Sequence, residues 1–301
     1  MARSVIVTGA TGFLGHQVLQ VFERAGWDAV GTGFSRATSS ILKVDLSDQT
    51  AIGSLLGDVR TKIKQGAANR FPDKCDQDPA GARRVNVEAT ECLVQETSKR
   101  GVLLIYISTD YVFPGRPGEA PYAADAKPDP PNLYGQTKLD GENAVITATA
   151  ANGLGLVLRV PVLYGDAAKP EESAVNVLMK AVWEAQEAKG IRMDDWAQRY
   201  PTNTEDVARV CMDIAIKYLD TANAVALPKI LQFSSEDRLT KFGMCQLFAD
   251  VLGLPLIGME AQSGAPDPTA SVQRPFDTHL STQTLKDLGI KVHTQDFSAW
   301  W

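Results

Sequence analysis

This sequence is short of the features that mark secreted, metal-built, membrane-bound or nucleic-acid-binding proteins. Its four cysteines (Cys75, Cys92, Cys211 and Cys245) form no C-x-x-C pair, so neither a disulfide framework nor a structural zinc site is supported. Only three histidines occur (His16, His279 and His293), none at a ligand spacing, and no metal site is expected. No apolar run approaches the ~20 residues of a membrane span. A strand pattern starts directly at the N-terminus, leaving no room for a signal peptide. The expected location is the cytoplasm, with no membrane partner. A formal net charge of -6 argues against nucleic acid as a partner, because backbone binding needs a basic face. No internal repeat or low-complexity tract interrupts the 301 residues, 44% of them hydrophobic. Such a chain can bury a large core, as one large domain or two closely joined lobes.

What is present begins with Val5-Ile6-Val7-Thr8-Gly9-Ala10-Thr11-Gly12-Phe13-Leu14-Gly15. A β-branched run breaks into glycines and resumes as an amphipathic helix pattern through Val18, Leu19 and Phe22, which reads as strand, phosphate loop, helix. Gly9 allows the tight turn, Gly12 lets backbone N-H groups approach a pyrophosphate, and Gly15 lets the helix pack close to the sheet. The helix N-terminus then faces the anion. A second strand, Asp28 to Phe34, runs into Gly33-Phe34-Ser35-Arg36, where a dinucleotide fold meets the adenosine ribose. No acid stands there to bond a 2′-hydroxyl, and Arg36 suits a 2′-phosphate, so NADP is favoured; the alternative for Arg36 is a solvated loop arginine. A short strand, Ile41 to Val44, ends in Asp45-Leu46. Asp45 either accepts from an adenine amino group or caps a helix starting near Ser47.

The fourth strand is the misfit. A sheet covered on both faces wants an apolar run, but Val59-Arg60-Thr61-Lys62-Ile63-Lys64-Gln65 places three cations there. The expectation is a segment that departs from an ordinary strand, either as a misread splice junction or alternative form of the chain or, if made as written, by fraying or by displacing a helix. Beyond it, Gly66 to Arg70 should line the cofactor groove, with Arg70 near a phosphate. A helix from Pro79 to about Arg100 carries Asn86 in its interior. Strand five, Val102 to Ile107, is continuously apolar and delivers Ser108-Thr109-Asp110 at its carboxyl end, where open α/β sheets place their chemistry. A proline-rich loop leads to Tyr134-Gly135-Gln136-Thr137-Lys138, and a strand from Leu154 to Val160 leads to Leu163. Past Gly165 the expected elements are a helix over Glu171 to Lys189, a loop over Met193 to Thr204, a helix over Asp206 to Leu219, a strand at Ile230 to Phe233 and a helix over Thr240 to Leu252.

Tyr134 and Lys138 are four residues apart and share one helix face. A phenol with a pKa near 10 is a poor acid-base catalyst at neutral pH. A lysine ammonium one turn away should draw it toward the working range and could also bond a nicotinamide ribose. Thr109 would hydrogen-bond the substrate oxygen that exchanges a proton with Tyr134. The three residues thus read as the catalytic set of a ketone/alcohol redox site.

Together these elements resemble the extended short-chain dehydrogenase/reductases, over essentially the whole chain. The resemblance implies an α/β fold, a doubly wound parallel Rossmann sheet with a smaller α+β lobe. The implied division gives 1–164, 196–222 and 276–301 to the NADP-binding domain and 165–195 and 223–275 to the smaller lobe. Within that superfamily, Ser108-Thr109-Asp110-Tyr111-Val112-Phe113 and Tyr134 to Glu142 look like the branch of the dTDP-4-dehydrorhamnose reductases, which reduce a nucleotide-linked keto sugar with NADPH. The stretches Gly31 to Arg36, Leu158 to Gly165, Glu171-Glu172-Ser173-Ala174-Val175 and Met193 to Thr202 are similar to the regulatory β subunits of methionine adenosyltransferase, non-catalytic relatives that retain NADP binding. That similarity implies cofactor roles for Thr11, Gly12, Phe13 and Leu14, for Phe34, Ser35 and Arg36, for Asp45 and Leu46, and for Arg70, Tyr134 and Leu163. It also implies a methionine adenosyltransferase catalytic subunit as partner and a role in S-adenosylmethionine biosynthesis. Two departures bear on these roles. Arg274-Pro275-Phe276 is followed by Asp277-Thr278, where the reductases close their sugar site with R-P-x-N-S. The regulatory subunits continue past a point equivalent to Trp301 into a tail that this sequence lacks, which bears on partner binding.

Overall fold

The first apolar run folds as strand β1 (Ser4–Thr8), with Val5 and Val7 buried toward one face of the sheet and Ile6 toward the other. A parallel strand covered on both sides requires this pattern. The computed structural model describes residues 3–34, 36, 40–57, 62–65, 72–187, 190–267, 269 and 272–301, with the backbone alone for 62–65. The roles expected of Ser35, Gly66 and Arg70 lie outside the described residues, as does the stretch 58–61.

Helix α1 (Phe13–Arg24) follows, then β2 (Asp28–Gly33), β3 (Ile41–Lys43), α2 (Gln49–Gly57) and β4 (Lys62–Gln65). Next come α3 (Pro72–Gln77), α4 (Pro79–Arg83), a π-helical turn (Arg84–Glu88), α5 (Ala89–Lys99), β5 (Leu104–Thr109), α6 (Leu133–Ala148) and β6 (Gly155–Val160). The remainder comprises β7 (Leu163–Tyr164), α7 (Leu178–Glu184), β8 (Ile191–Asp194), β9 (Thr202–Asn203), α8 (Thr204–Asp220), β10 (Ile230–Gln232), α9 (Lys241–Leu252), β11 (Met259–Gln262), α10 (Gln283–Asp287) and α11 (Phe297–Trp300).

Seven strands form one sheet in the order β10-β6-β5-β4-β1-β2-β3, and every pairing is parallel. This is the doubly wound arrangement expected from the sequence. From β1 the chain moves outward to β2 and β3, then crosses back to β4 and on to β10. The reversal between β1 and β4 opens a crevice at the carboxyl ends of the strands. One face of the sheet packs α1 and α8 through Val18, Leu19, Phe22, Val207, Cys211 and Ile214. The other packs α2, α5 and α6 through Ile52, Leu55, Leu93, Val94 and Val145. A separate cluster joins α7, α9 and β11 through Leu178, Val182, Met244, Phe248 and Met259.

Four expectations need correction. The main chain of Lys62–Gln65 pairs in register with β1 (Val5↔Lys62 to Thr8↔Gln65) and with β5 (Ile63↔Leu104 to Gln65↔Tyr106), so β4 is a central strand of the sheet. Ladder hydrogen bonds to both neighbouring strands hold its backbone. The helix expected over Glu171 to Lys189 shrinks to a 3-10 turn at Pro170–Glu172 and the seven residues of α7. Ser173 breaks it: its hydroxyl takes the amides of Val175 and Asn176 and donates to Leu163 O. The expected loop from Met193 to Thr204 contains the end of β8 and all of β9. The lobe division also differs, since β10, within 223–275, is an edge strand of the large sheet and Phe297 of α11 packs into the α7–α9 cluster.

Candidate functional site

Two groups of residues meet the carboxyl edge of the sheet. The first is the glycine loop after β1. Gly9 has φ +67°, and Gly12 N-H donates to Gly9 O at 2.8 Å, closing the turn. A Cβ on Gly15 would lie 2.1 Å from Gly9 O, so α1 starts as close to the loop as backbone allows. Gly12 caps α1 without a side chain, and no acid stands in the first turn. The orphan amides at this helix start are therefore open to an anion, and the macrodipole favours one. Thr11 lies beside the end of β2, where a Cβ on Gly33 would come within 2.8 Å of its methyl.

Around the end of β2, Phe34 is exposed, with Lys43 Nζ 5.8 Å from its ring centroid. The Arg36 guanidinium donates to Glu172, which reaches across from the Pro170–Glu172 turn. Asp45 does not cap α2. Its Oδ1 accepts from Ser47 N (2.9 Å) and Ser47 Oγ (2.7 Å), which together hold its carboxyl below the usual range. Asp48 serves as the cap instead, accepting from Thr50 N. Leu46 packs against the α2–α5 core and Leu163 against the α1–α8 core.

The second group lies at the end of β5 and the start of α6. Asn132 begins α6, accepting from Gly135 N at 2.9 Å while its amide donates to Gln273 O at 2.9 Å. A Cβ on Gly135 would lie 2.2 Å from Tyr111 O, so the helix start is pressed against the chain leaving β5. Tyr134 thereby stands edge-on to Tyr111 at 6.2 Å. Thr109 Oγ1 donates to Asp110 Oδ1 at 3.0 Å and accepts from Tyr111 N. Burial raises the Tyr134 phenol well above its ordinary value, and a hydrogen bond with the Thr109 side chain works against that shift. Burial also pulls Lys138 down to about 7. The structure thus brings Thr109, Tyr134 and Lys138 together but corrects the expected electrostatics. Desolvation pushes the phenol up, and Lys138 Nζ rests on the Tyr106 ring, 4.0 Å from its centroid.

Further contributors were visible in the sequence but without the partners that give them a role. Asn86 sits in the π-helical turn between α4 and α5, and its amide donates to Thr137 Oγ1 at 3.1 Å. Asp110 is buried, which raises its pKa, while the Thr278 hydroxyl (2.5 Å) and the Arg199 charge oppose the shift. Asp277 and Phe276 donate their amides to Gly115 O. The Asp277-Thr278 pair that departs from the reductase motif therefore ties the C-terminal segment to the end of β5. Among the described residues no cluster could hold a metal ion, and no helix is long and apolar enough to cross a membrane.

A parallel sheet reversing between β1 and β4, an open glycine-rich helix start and a Thr-Tyr-Lys group at the strand ends define an extended short-chain dehydrogenase/reductase architecture. The sequence pattern of the RmlD substrate binding domain matches residues 3–298, and the chain belongs to that family. It is 40% identical over 296 residues to methionine adenosyltransferase 2 subunit beta of Rattus norvegicus, covering 97% of this chain and 84% of that one. It is 34% identical over 204 residues to dTDP-4-dehydrorhamnose reductase of Streptomyces griseus, covering 67% and 62%. The crystal structure of dTDP-4-dehydrorhamnose reductase from Bacillus anthracis in complex with NADP has the same fold, with a TM-score of 0.79 at 20% identity over 100% of this chain and 96% of that one.

Proposed function

We propose that this chain is an NADP-binding, non-catalytic regulatory subunit of a cytoplasmic methionine adenosyltransferase, acting in S-adenosylmethionine biosynthesis. The observation that carries the reading is the 40% identity to a β subunit over 97% of the chain. Residues at the crevice fit the cofactor. The uncapped start of α1, through Gly12, Phe13, Leu14 and Gly15, would take the pyrophosphate on backbone amides. Arg36 would take the 2′-phosphate, with Phe34, Asp45 and Leu46 near the adenosine and Tyr134, Lys138 and Leu163 near the nicotinamide. NADPH, when bound, supplies a hydride. The chain's own part would be to hold a proton on Tyr134 and to donate hydrogen bonds from Lys138. The strongly raised phenol suits holding a proton better than exchanging it rapidly.

The test is purification from native cytosol with identification of what accompanies the protein. A stoichiometric methionine adenosyltransferase catalytic subunit is the expected result, and its absence sinks the reading. The second reading, an NADPH-dependent reductase of a nucleotide-linked 4-keto sugar, is favoured by one observation: Thr109, Tyr134 and Lys138 stand together. NADPH oxidation on a dTDP-4-keto sugar, abolished in Tyr134→Phe with cofactor affinity nearly intact, would support it.

A further inference from the structure

We propose that Tyr106 is the positioning residue of this site: its ring holds the Lys138 side chain in place and favours its ammonium form over the neutral amine. The inference rests on the cofactor reading only for its purpose, since the contact itself is a property of the protein alone. Lys138 Nζ lies 4.0 Å from the Tyr106 ring centroid, and the two residues are 3% and 1% exposed. A cation over an aromatic face is attracted by the ring quadrupole, most strongly where water is excluded.

Tyr106 is held at its backbone and at its hydroxyl. Tyr106 is paired through its backbone with Gln65 of β4 and Val157 of β6. Its hydroxyl lies 3.5 Å from Asn86 O in the π-helical turn and 3.5 Å from Lys138 O in α6. A Cβ on Gly141 would lie 2.3 Å from the same hydroxyl, so the absence of a side chain at Gly141 lets α6 close onto the ring.

Glu142 and, more weakly, Cys75 also raise the Lys138 pKa, but neither touches its ammonium as the ring does. Glu142 lies one turn further along α6, but Arg159 of β6 bonds both its oxygens, at 2.9 and 2.7 Å. Burial raises the Cys75 thiol of α3 and the Tyr134 phenol of α6, which keeps both neutral. No carboxylate of a described residue lies within ion-pair distance of Lys138. The Tyr106 ring adds its attraction to that of these groups against the burial that pulls Lys138 down to about 7.

The experiment is a ¹³C NMR titration of the full chain carrying ε-¹³C lysine, without cofactor, with the Lys138 signal assigned by its loss in Lys138→Met. In the parent protein this signal should titrate near 7. Tyr106→Phe keeps the ring and should leave the midpoint within a few tenths of a unit. Tyr106→Leu should lower it by ~1 unit. Pentafluorophenylalanine at position 106 keeps the shape, reverses the quadrupole and should lower the midpoint similarly, which covers the case in which the leucine variant does not fold. An unchanged midpoint with leucine or with the fluorinated ring overturns the proposal, as does a leucine-sized shift in Tyr106→Phe. NADP titration of the parent protein is a separate readout: failure to bind would sink the cofactor reading and leave the lysine result standing.

Discussion

The glycine loop and the Tyr134–Lys138 group meet the same edge of one sheet but are built from opposite materials. At the loop the chain offers only backbone: amides at the start of α1, a positive φ at Gly9, and a 2.1 Å approach at Gly15 that any Cβ would block. At the Tyr-Lys end it offers side chains whose surroundings are built by neighbours far away in sequence: Tyr106 in β5, Asn86 in a π-helical turn, and Thr278 near the C-terminus acting through Asp110. Omitting a side chain is a local instruction that a sequence states directly. Holding a charge in a buried place is a tertiary outcome.

The comparison predicts that steric damage at the loop should be the most severe. Gly15→Val drives a methyl-bearing carbon into the Gly9 carbonyl, so dinucleotide affinity should fall more than ~100-fold and stability by ~3 kcal/mol. Calorimetric titration and thermal unfolding measure both, and affinity within tenfold of the parent would break the contrast.

At the other end the effect should be electrostatic and pH-dependent. The folded pKa of Lys138, about 7, lies below its unfolded value. The unfolded chain therefore holds the proton more tightly, and the penalty is full below pH 7 and vanishes as pH rises toward ~10.4. Lys138→Met removes this titration. Its stability advantage should be largest at pH 6, on the order of 4 kcal/mol less the lost ring contact, and should close by pH 10. A gap that stays constant with pH would show that burial of the ammonium is not the cause.

Thr278→Val should cost ~1–3 kcal/mol in urea unfolding, because buried Asp110 loses a donor; a cost below ~0.5 kcal/mol, as for a surface substitution, would make that link incidental. The smallest effect should come from Arg36→Ala, which should erase a roughly tenfold preference for NADP over NAD. Arg36 is exposed and already engaged by Glu172, which limits what it contributes. Equal affinities for the two cofactors in the parent protein would remove the basis for assigning Arg36 to the 2′-phosphate.

The same contrast explains what could be read from the sequence. The β1 run, the three loop glycines and the apolar β5 ending in Ser108-Thr109 were legible, because residue type at a local spacing dictates each. The Tyr-Lys spacing was legible as well, but its electrostatics were not. Tyr106 reads as one more residue of an apolar strand, and only the fold places Lys138 against it. Glu171 to Lys189 reads as helix by composition, yet Ser173 claims the amides of Val175 and Asn176 and α7 begins only at Leu178. The cations of β4 suggested a broken strand, whereas pairing on both edges places its backbone at the centre of the sheet.

The π-helical turn at Arg84–Glu88 has a bearing on which changes in length this chain can accept. Relative to α-helical pitch it holds an additional residue, and each residue of an α-helix advances ~100° around the axis. Deleting one residue there would yield a smoother helix, but α5 would turn by that angle relative to α4. Leu93 and Val94, now fully buried against the sheet, would swing away from it, and Asn86 would lose Thr137. The segment should therefore accept exchanges of residue more readily than a shortened count, so that the number of residues between Asp78 and Ala89 is itself inherited information.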